Sequence, residues 1–452
     1  MNKDTITAIS TPIGVGGISI VRISGKDALN ITSKIFSCKK CDVLNFQPRY
    51  FYLGQIDLGD VKEKCMVVYF KAPYSYTGED LVEIQCHGGM VITEKILNKI
   101  ISLGARLAEG GEFTKRGFLN GKISLDEAEG VMDIISAESE SELKAGYNLM
   151  NGNLLNEVKN IQNQITDALA FIEVTFDYPE NDIEEVTSNQ VKELMLSVKN
   201  KIQNLINTSS TGIKLKQGYK VLILGKPNVG KSSLMNALLN YNRAIVTNIH
   251  GTTRDILEET FVYKGVKFVL TDTAGVRTAT DEVEKIGIEK AKQNINIADI
   301  ILAVFDNNQK LDNLDFDILN LINDKKYIVI VNKSDLNKNI VLPENIDKNN
   351  ILYVSAQNKE GIEQIKEKIY NTIIDKNILN SNIVITNVRH LSILNKALKN
   401  VEDVISSIDN LNQLELVSID LHNLWLTLGE ITGESNNEEI INSIFANFCV
   451  GK

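Results

Sequence analysis

The absences in this sequence narrow it before its motifs do. Its 452 residues hold no apolar run of membrane-spanning length, which excludes a helical membrane span. The opening Met1-Asn2-Lys3-Asp4 begins neither a secretory signal nor a transit peptide, so a cytoplasmic protein without membrane attachment is expected. Cysteine is sparse, odd in number at five and widely scattered, which speaks against a disulfide framework and suits a reducing compartment. The four histidines, His87, His250, His390 and His422, show no ligand spacing. Cys38-Lys39-Lys40-Cys41 has no second pair at zinc-finger distance and reads as a surface turn. A net charge of -10 rules out an all-over basic coat for nucleic acid, leaving room for a local patch or a partner that carries one. No G-x-G-x-x-G opens a βαβ unit anywhere, so a redox step would need a partner.

What is present points to nucleotide chemistry. With 43% hydrophobic and 23% charged residues the chain can build real cores, in about two to four domains for this length. Gly225 to Ser232, GKPNVGKS, fits the phosphate-loop pattern G-x-x-x-x-G-K-S; it follows an apolar run, Tyr219 to Leu224, and opens into a helix-forming segment, Ser233 to Leu239. Glycines at 225 and 230 let backbone N–H groups converge on a phosphate, Lys231 supplies a point charge, and the Ser232 hydroxyl suits magnesium. Asp272-Thr273-Ala274-Gly275 ends a second apolar strand, Lys267 to Leu270, where ligands gather in open α/β sheets. After strands at Ile300 to Phe305 and Tyr327 to Val331 comes Asn332-Lys333-Ser334-Asp335, and after Ile351 to Val354 comes Ser355-Ala356. Asp335 can accept N1–H and the 2-amino hydrogen of guanine, a pair that adenine does not present, so the five motifs together predict GTP chemistry.

Taken in order, the chain opens with expected strands at Thr5 to Ser10, Ile18 to Ile23, Tyr50 to Ile56, Cys65 to Phe70 and Leu81 to Cys86. Helices are expected at Lys26 to Phe36 and Met90 to Leu103. This α+β domain spans 1–120. From 121 to 213 the apolar period is helical, through Leu154, Val158, Ile161, Ile165, Leu169 and Ile172, then Val191, Leu194, Val198, Ile202 and Leu205. A Ras-like G-domain occupies 214–374. Helical period resumes over 375–452, at Leu391, Leu394, Leu398, Val401, Ile405 and Ile408 and again from Val417 to Ile431. The fold class expected is multidomain α/β, with one discontinuous helical domain interrupted by the inserted G-domain.

One position in the G-domain is vacant of its usual chemistry. Many small GTPases carry a glutamine directly after D-x-x-G to orient the attacking water, and here Val276 stands there. The replacement should be an acid further along, and Asp281, Glu282 and Glu284 are the candidates; charge and spacing do not choose among them, and acids also suit the start of a helix.

GKPNVGKS, Gly251-Thr252-Thr253-Arg254-Asp255, DTAG and NKSD together resemble the TrmE, Era and Der group of GTPases. Gly111 to Lys122 (GEFTKRGFLNGK), Tyr76 to Asp80 (YTGED), the split helical domain and the terminal Phe448-Cys449-Val450-Gly451-Lys452 narrow the likeness to the MnmE (TrmE) family of tRNA-modification GTPases, over essentially the whole chain. Val450 and Gly117 depart from that family's usual isoleucine and alanine. The resemblance implies a homodimer held through a tetrahydrofolate-binding-like N-terminal domain, with potassium-activated GTP hydrolysis. It implies an FAD-binding partner, MnmG (GidA), and addition of an aminomethyl or carboxymethylaminomethyl group to C5 of the wobble uridine, position 34, of certain tRNAs. The one-carbon unit would come from 5,10-methylenetetrahydrofolate, for which 5-formyltetrahydrofolate is an analogue.

The resemblance also carries residue roles. GTP contacts fall to Asn228, Val229, Gly230, Lys231, Ser232 and Ser233, to Thr247, Asn248, Ile249, His250, Gly251, Thr252 and Thr253, to Asp272, Thr273, Ala274 and Gly275, and to Asn332, Lys333, Asp335, Ser355 and Ala356. Potassium corresponds to Asn228, Thr247, Ile249 and Thr252, magnesium (Mg2+) to Ser232 and Thr253, and the catalytic pair to Lys231 and Glu284, the latter positioning water. An arginine finger, Arg254 or Arg277, is the competing account of the charge potassium (K+) would supply. Folate contacts correspond to Arg22, Glu79, Lys122 and Lys452. Cys449, beside Phe448, is either a nucleophile toward uridine C6 or a small buried hydrophobe. Two rivals are a ribosome-assembly GTPase of the Era or Der kind and a folate-dependent one-carbon transferase with a merely regulatory G-domain. Against the first stand the single phosphate loop and the absence of a basic RNA-binding module after the G-domain.

Overall fold

The computed structural model describes residues 4–40, 42–177, 181–239, 259–272, 293–379, 381–411, 414–435, 438–446 and 448–451. Contacts divide the chain into two units, one of Met1–Met132, Leu149–Val198 and Lys399–Lys452, the other of Asp133–Asn148 and Lys199–Leu398.

The first unit is built on a sheet of β1 (Ile6–Ile9), β2 (Ile18–Ser24), β3 (Phe36–Ser37), β4 (Phe51–Asp57), β5 (Lys62–Phe70), β6 (Leu81–His87) and β7 (Arg106–Leu107). Their order is β3-β4-β5-β6-β2-β1-β7, antiparallel except where β7 runs parallel to β1. Alternation fixes the faces: along β5 and β6 every second side chain is buried, and Val67, Val82 and Ile84 pack with Ile31 of α1 (Ala28–Ser33) and Ile96 and Ile100 of α2 (Met90–Ser102). The first helix is shorter than the expected Lys26 to Phe36, because Phe36 is claimed by β3, where it pairs with Ile56. α3 (Glu112–Leu119) and α4 (Leu125–Ser136) follow. A long helix, α6 (Asn153–Asp177), numbered after α5 (Glu140–Met150) of the other unit, buries the Leu154, Val158, Ile161, Ile165 and Ile172 stripe.

The second unit is a doubly wound sheet. Its strands are β8 (Tyr219–Leu224), β9 (Glu259–Tyr263), β10 (Val266–Asp272), β11 (Ile300–Asp306), β12 (Tyr327–Asn332) and β13 (Ile351–Tyr353), in the order β13-β12-β11-β8-β10-β9. All pairs are parallel except β9 with β10; β9 falls outside the strands expected from the sequence. Apolar cores cover both faces, so β11 is buried at every residue. β8 lies between β10 and β11, and the strand order reverses there, which is where α/β sheets open a ligand crevice beyond the strands' carboxyl ends.

The helix α7 (Asn181–Gln217) runs unbroken through residues 213 and 214 and contributes to both units. α8 (Lys231–Leu239) starts one half-turn before the expected Ser233, and α9 (Asn313–Ile322) and α10 (Ile362–Ile373) flank the second sheet. The later periodic segments form α11 (Val388–Leu411) and α12 (Leu414–Thr432), and a further helix, α13 (Glu438–Ala446), precedes the terminal segment. In the first unit α12 packs on α6, with Gln162 Nε2 donating to the Trp425 carbonyl at 3.2 Å.

Candidate functional site

The phosphate loop leaves the carboxyl end of β8 and enters α8 at Lys231. Gly230 sits at φ +95°, and a Cβ there would lie 2.2 Å from Asn332 Nδ2; both geometry and space demand glycine. Asn228 takes the left-handed region too, at φ 66°. Lys231 Nζ donates to the carbonyls of Gly225 at 2.8 Å and Lys226 at 2.7 Å, which holds the ammonium inside the curve of the loop. The side chains of Asn228, Ser232 and Ser233 are exposed there.

Asn332 ties three segments together. Buried to 2% exposure at the end of β12, it donates Nδ2 to the Val229 carbonyl at 2.9 Å and accepts at Oδ1 from Ala356 N–H at 3.0 Å. The phosphate loop and the Ser355-Ala356 turn are thereby fixed against each other by one amide, whose donor and acceptor ends are both used. Lys333, at φ 62°, adds a second tie: its Nζ donates to the Asn228 carbonyl at 3.0 Å and to Asp306 Oδ2 at 2.6 Å. Ser355 is wholly buried, whereas Asp335 is exposed.

Sequence reading did not single out the support at Lys226, whose ammonium lies 2.7 Å from carboxylate oxygens of both Asp312 and Asp315. Burial alone would pull this lysine's pKa down; hydrogen bonds to Asp312 and Asp315 outweigh it and raise it. Asp312 caps α9, accepting from Leu314 and Asp315 N–H in a capping box, so the loop is braced against a helix start. No local pattern linked position 226 to 312.

Thr247, Asn248, Ile249, His250, Gly251, Thr252 and Thr253, with Arg254, lie outside the described residues, as do Thr273, Ala274, Gly275, Val276, Arg277, Asp281, Glu282, Glu284 and Lys452. Asp272 closes β10, at the carboxyl edge expected of it, and its side chain lies outside the described residues.

A second grouping forms in the first unit. Arg22 and Ser24 lie on one face of β2, and Arg22 stands opposite Glu83 on β6 in register. Arg22 donates Nε at 3.0 Å and Nη2 at 2.7 Å to Glu83 Oε1, and Nη1 at 3.2 Å to the Gly451 carbonyl. Ser24 Oγ donates to Glu79 Oε2 at 2.8 Å. Lys122 packs beside Gly78, next to Glu79, and lines a cleft of about 330 Å³ with Phe118, Lys159 and Glu434. Arg22 is thus joined to Gly451, the residue before Lys452, and Glu79 to β2 through Ser24, while Lys122 lines a cleft that neither Arg22 nor Glu79 lines.

Arg116 was missed as a partner of this group, although the Glu112/Arg116 spacing on α3 was visible. It is 9% exposed and reaches Asp4 at 2.8 Å, Glu79 at 3.1 Å and Glu112 at 2.9 Å, and Arg106 joins Asp4 and Glu112. Burial would lower the Arg116 pKa; Glu112 and Glu79 more than compensate, so it stays a fixed cation that orients Glu79. Cys449 is exposed, which removes the buried-hydrophobe reading of its side chain. Cys38 is half-buried, with Sγ 3.4 Å from Lys40 N–H, and Cys41 lies outside the described residues.

Two family models match: the MnmE helical domain over residues 125–449 and the GTP-binding protein TrmE N-terminus over residues 5–122. The chain is 43% identical over 455 residues to a tRNA modification GTPase MnmE of Clostridioides difficile (strain 630), covering 99% of each chain. It is 43% identical over 457 residues to the protein of the same name from Lactobacillus gasseri, covering 99% of this chain and 98% of that one. Among solved structures it is similar to the FeoB G-domain from Methanococcus jannaschii, with a TM-score of 0.27 and 28% identity over 35% of this chain and 98% of that one.

Proposed function

The chain belongs to the MnmE family of tRNA modification GTPases, and from that membership we propose that it hydrolyses GTP as the switch subunit of an enzyme that modifies the wobble uridine of tRNA. The product is an aminomethyl or carboxymethylaminomethyl group at C5 of uridine 34. The chain works as a cytoplasmic homodimer, and an FAD-binding MnmG-type partner carries the redox step, for which this chain's own sequence holds no dinucleotide fingerprint. What supports this reading is a pair of side-chain arrangements in one chain. One is the tie of the phosphate loop to the Ser355-Ala356 turn through Asn332; the other is the set of bonds that joins Arg22 to Gly451 and Ser24 to Glu79.

In the cradle, Lys231 neutralises the γ-phosphate and Asp335 selects guanine, while Glu284 orients the attacking water. The exposed Ser232 hydroxyl and Asn228 amide are hard oxygen donors that fit magnesium and potassium; Thr253, and Thr247, Ile249 and Thr252, would complete the two sets. When bound, the cations supply positive charge against the phosphate oxygens.

The second grouping fits a folate. Glu79, held by Ser24 and Arg116 yet 27% exposed, suits the amino and N3–H edge of a pterin, and exposed Lys122, with Lys452, suits an anionic glutamate tail. When bound, methylenetetrahydrofolate supplies the one-carbon unit. Deleting the gene and digesting bulk tRNA for mass spectrometry tests the reading: loss of the aminomethyl-type uridines is expected. An unchanged nucleoside profile with immature ribosomal subunits would instead assign the chain to ribosome assembly.

A further inference from the structure

We propose that Asp306 is a positioning residue for the phosphate end of the nucleotide, acting through Lys333 on the peptide unit between Asn228 and Val229. The inference rests on the reading that this phosphate loop binds guanine nucleotide. Asp306 is the last residue of β11, and the register sets it beside Asn332 of β12. Its side chain is 4% exposed, and both carboxylate oxygens are engaged: Oδ1 accepts from Asn308 N–H at 2.9 Å and Oδ2 from Lys333 Nζ at 2.6 Å. Asn307 ties the same turn to the segment after β12, donating its N–H to the Asn332 carbonyl at 2.9 Å and Nδ2 to the Leu336 carbonyl at 3.0 Å. The acid is thus an anion held at a fixed place.

Lys333 needs such an anchor. A lysine ammonium is a point charge on a flexible four-carbon stem, so its position is set by what it meets. One N–H goes to Asp306, and the same ammonium donates to the Asn228 carbonyl at 3.0 Å. Asn332 takes the next carbonyl along, that of Val229, at 2.9 Å. Two successive carbonyls of the phosphate loop are therefore held by two successive side chains after β12. In a planar trans peptide the C=O and the following N–H point in opposite directions. Holding carbonyl 228 turns the Val229 N–H away from Lys333, and holding carbonyl 229 turns the Gly230 N–H away from Asn332. Those N–H groups belong to the row with which a phosphate loop cradles the β-phosphate.

Two other uses of Asp306 make a different demand on the ligand. An acid that only closed the end of β11, or that steadied Lys333 only beside the base, would on removal weaken every guanine nucleotide alike. An effect exerted through the Val229 N–H is felt by a ligand that carries a β-phosphate and not by one that lacks it.

The test displaces N-methylanthraniloyl-GDP from the full-length protein with GDP and with GMP, and reads the ratio of the two affinities. Asp306→Asn keeps the shape and removes the charge; GDP affinity should fall about tenfold, from weakening of a charge-assisted hydrogen bond, while GMP affinity stays within about twofold. Lys333→Met, which removes the ammonium, should lower the same ratio by about tenfold or more. Adding Asp306→Asn to Lys333→Met should change the ratio no further, because the acid acts through that ammonium. An unchanged ratio in Asp306→Asn overturns the inference, whether both affinities fall or neither does, and so does a further fall in the double variant. If Asp306→Asn lacks a cooperative melt, Lys333→Met decides, and an unchanged ratio there overturns the inference equally. Failure of the parent chain to bind the fluorescent GDP at all would sink the nucleotide reading itself, and the inference with it.

Discussion

Replacing Asn332 should loosen the G-domain even when no nucleotide is present. A residue that only contacts the guanine base would be silent in that state; Asn332 instead spends both ends of its amide on the protein, at Val229 and Ala356. Asn332→Ala strands a carbonyl and an N–H inside a nearly dry interior, where Val229 and Ala356 are 2% and 6% exposed. Each stranded group costs about 1–3 kcal/mol, so the pair costs about 2–6 kcal/mol. For a unit of this size about 2–4 °C of melting temperature is lost per kcal/mol, which gives a fall of about 4–24 °C. Asn332→Asp keeps the volume but sets an oxygen against the Val229 carbonyl, and should be no milder. The assay is calorimetric or fluorescence-detected melting of nucleotide-free protein, with circular dichroism to confirm that the variants fold. Melting temperatures within about 1 °C of the parent for both variants would refute the clasp, since even one stranded buried group exceeds that.

Three further outcomes are expected. GTP hydrolysis in potassium should exceed that in sodium by roughly 10³-fold or more, the contribution an arginine finger makes elsewhere, and Asn228→Ala should abolish the difference; equal rates in the two salts would return Arg254 or Arg277 to consideration. Glu284→Ala should lose about 10²-fold or more in turnover while GTP affinity stays near the parent value, and weakened affinity at full turnover would make Glu284 a structural acid. The first unit should lose stability in acid through Asp4 and Glu112. The Arg106 hydrogen bond, opposed by burial and helped by Arg116, holds Asp4 below its ordinary 3.8; for Glu112 burial pushes upward, but Arg106, the Glu109 N–H and Arg116 hold it below its ordinary 4.5. Depressed carboxylates contribute fully above their unfolded values and lose that contribution as pH falls through the folded ones, so the melting gap between the parent chain and Arg106→Met should close from pH 5 downward. A gap independent of pH would refute this.

The nucleotide cradle was legible because its parts are local. A phosphate loop needs a strand, glycines, a lysine and a helix in immediate succession, and periods of two and 3.6 residues mark strand and helix within a dozen positions, as at Tyr219–Leu224 and along Leu154–Ile172. Motifs at strand ends could be assigned a common edge because parallel strands of one sheet share a direction. Even the short strand β3 escaped this reading, since Phe36 is extended only because β4 offers it a partner.

Tertiary structure decided everything that depends on a partner far along the chain. Asn332 reads in sequence as one of the GTP contacts; its second use, closing the phosphate loop onto Ala356, exists only once β8, β12 and β13 lie in one sheet. Lys226 acquires Asp312 and Asp315, and Arg116 acquires Asp4 and Glu79, in the same way. The terminal segment is the clearest case: nothing in Phe448-Cys449-Val450-Gly451 names Gly110, Ser10 or Arg22, which stand hundreds of residues away. Propensity and periodicity are set by neighbours within a few residues, whereas buried charges and unpaired backbone groups accept whichever complementary partner the folded chain brings within about 3 Å.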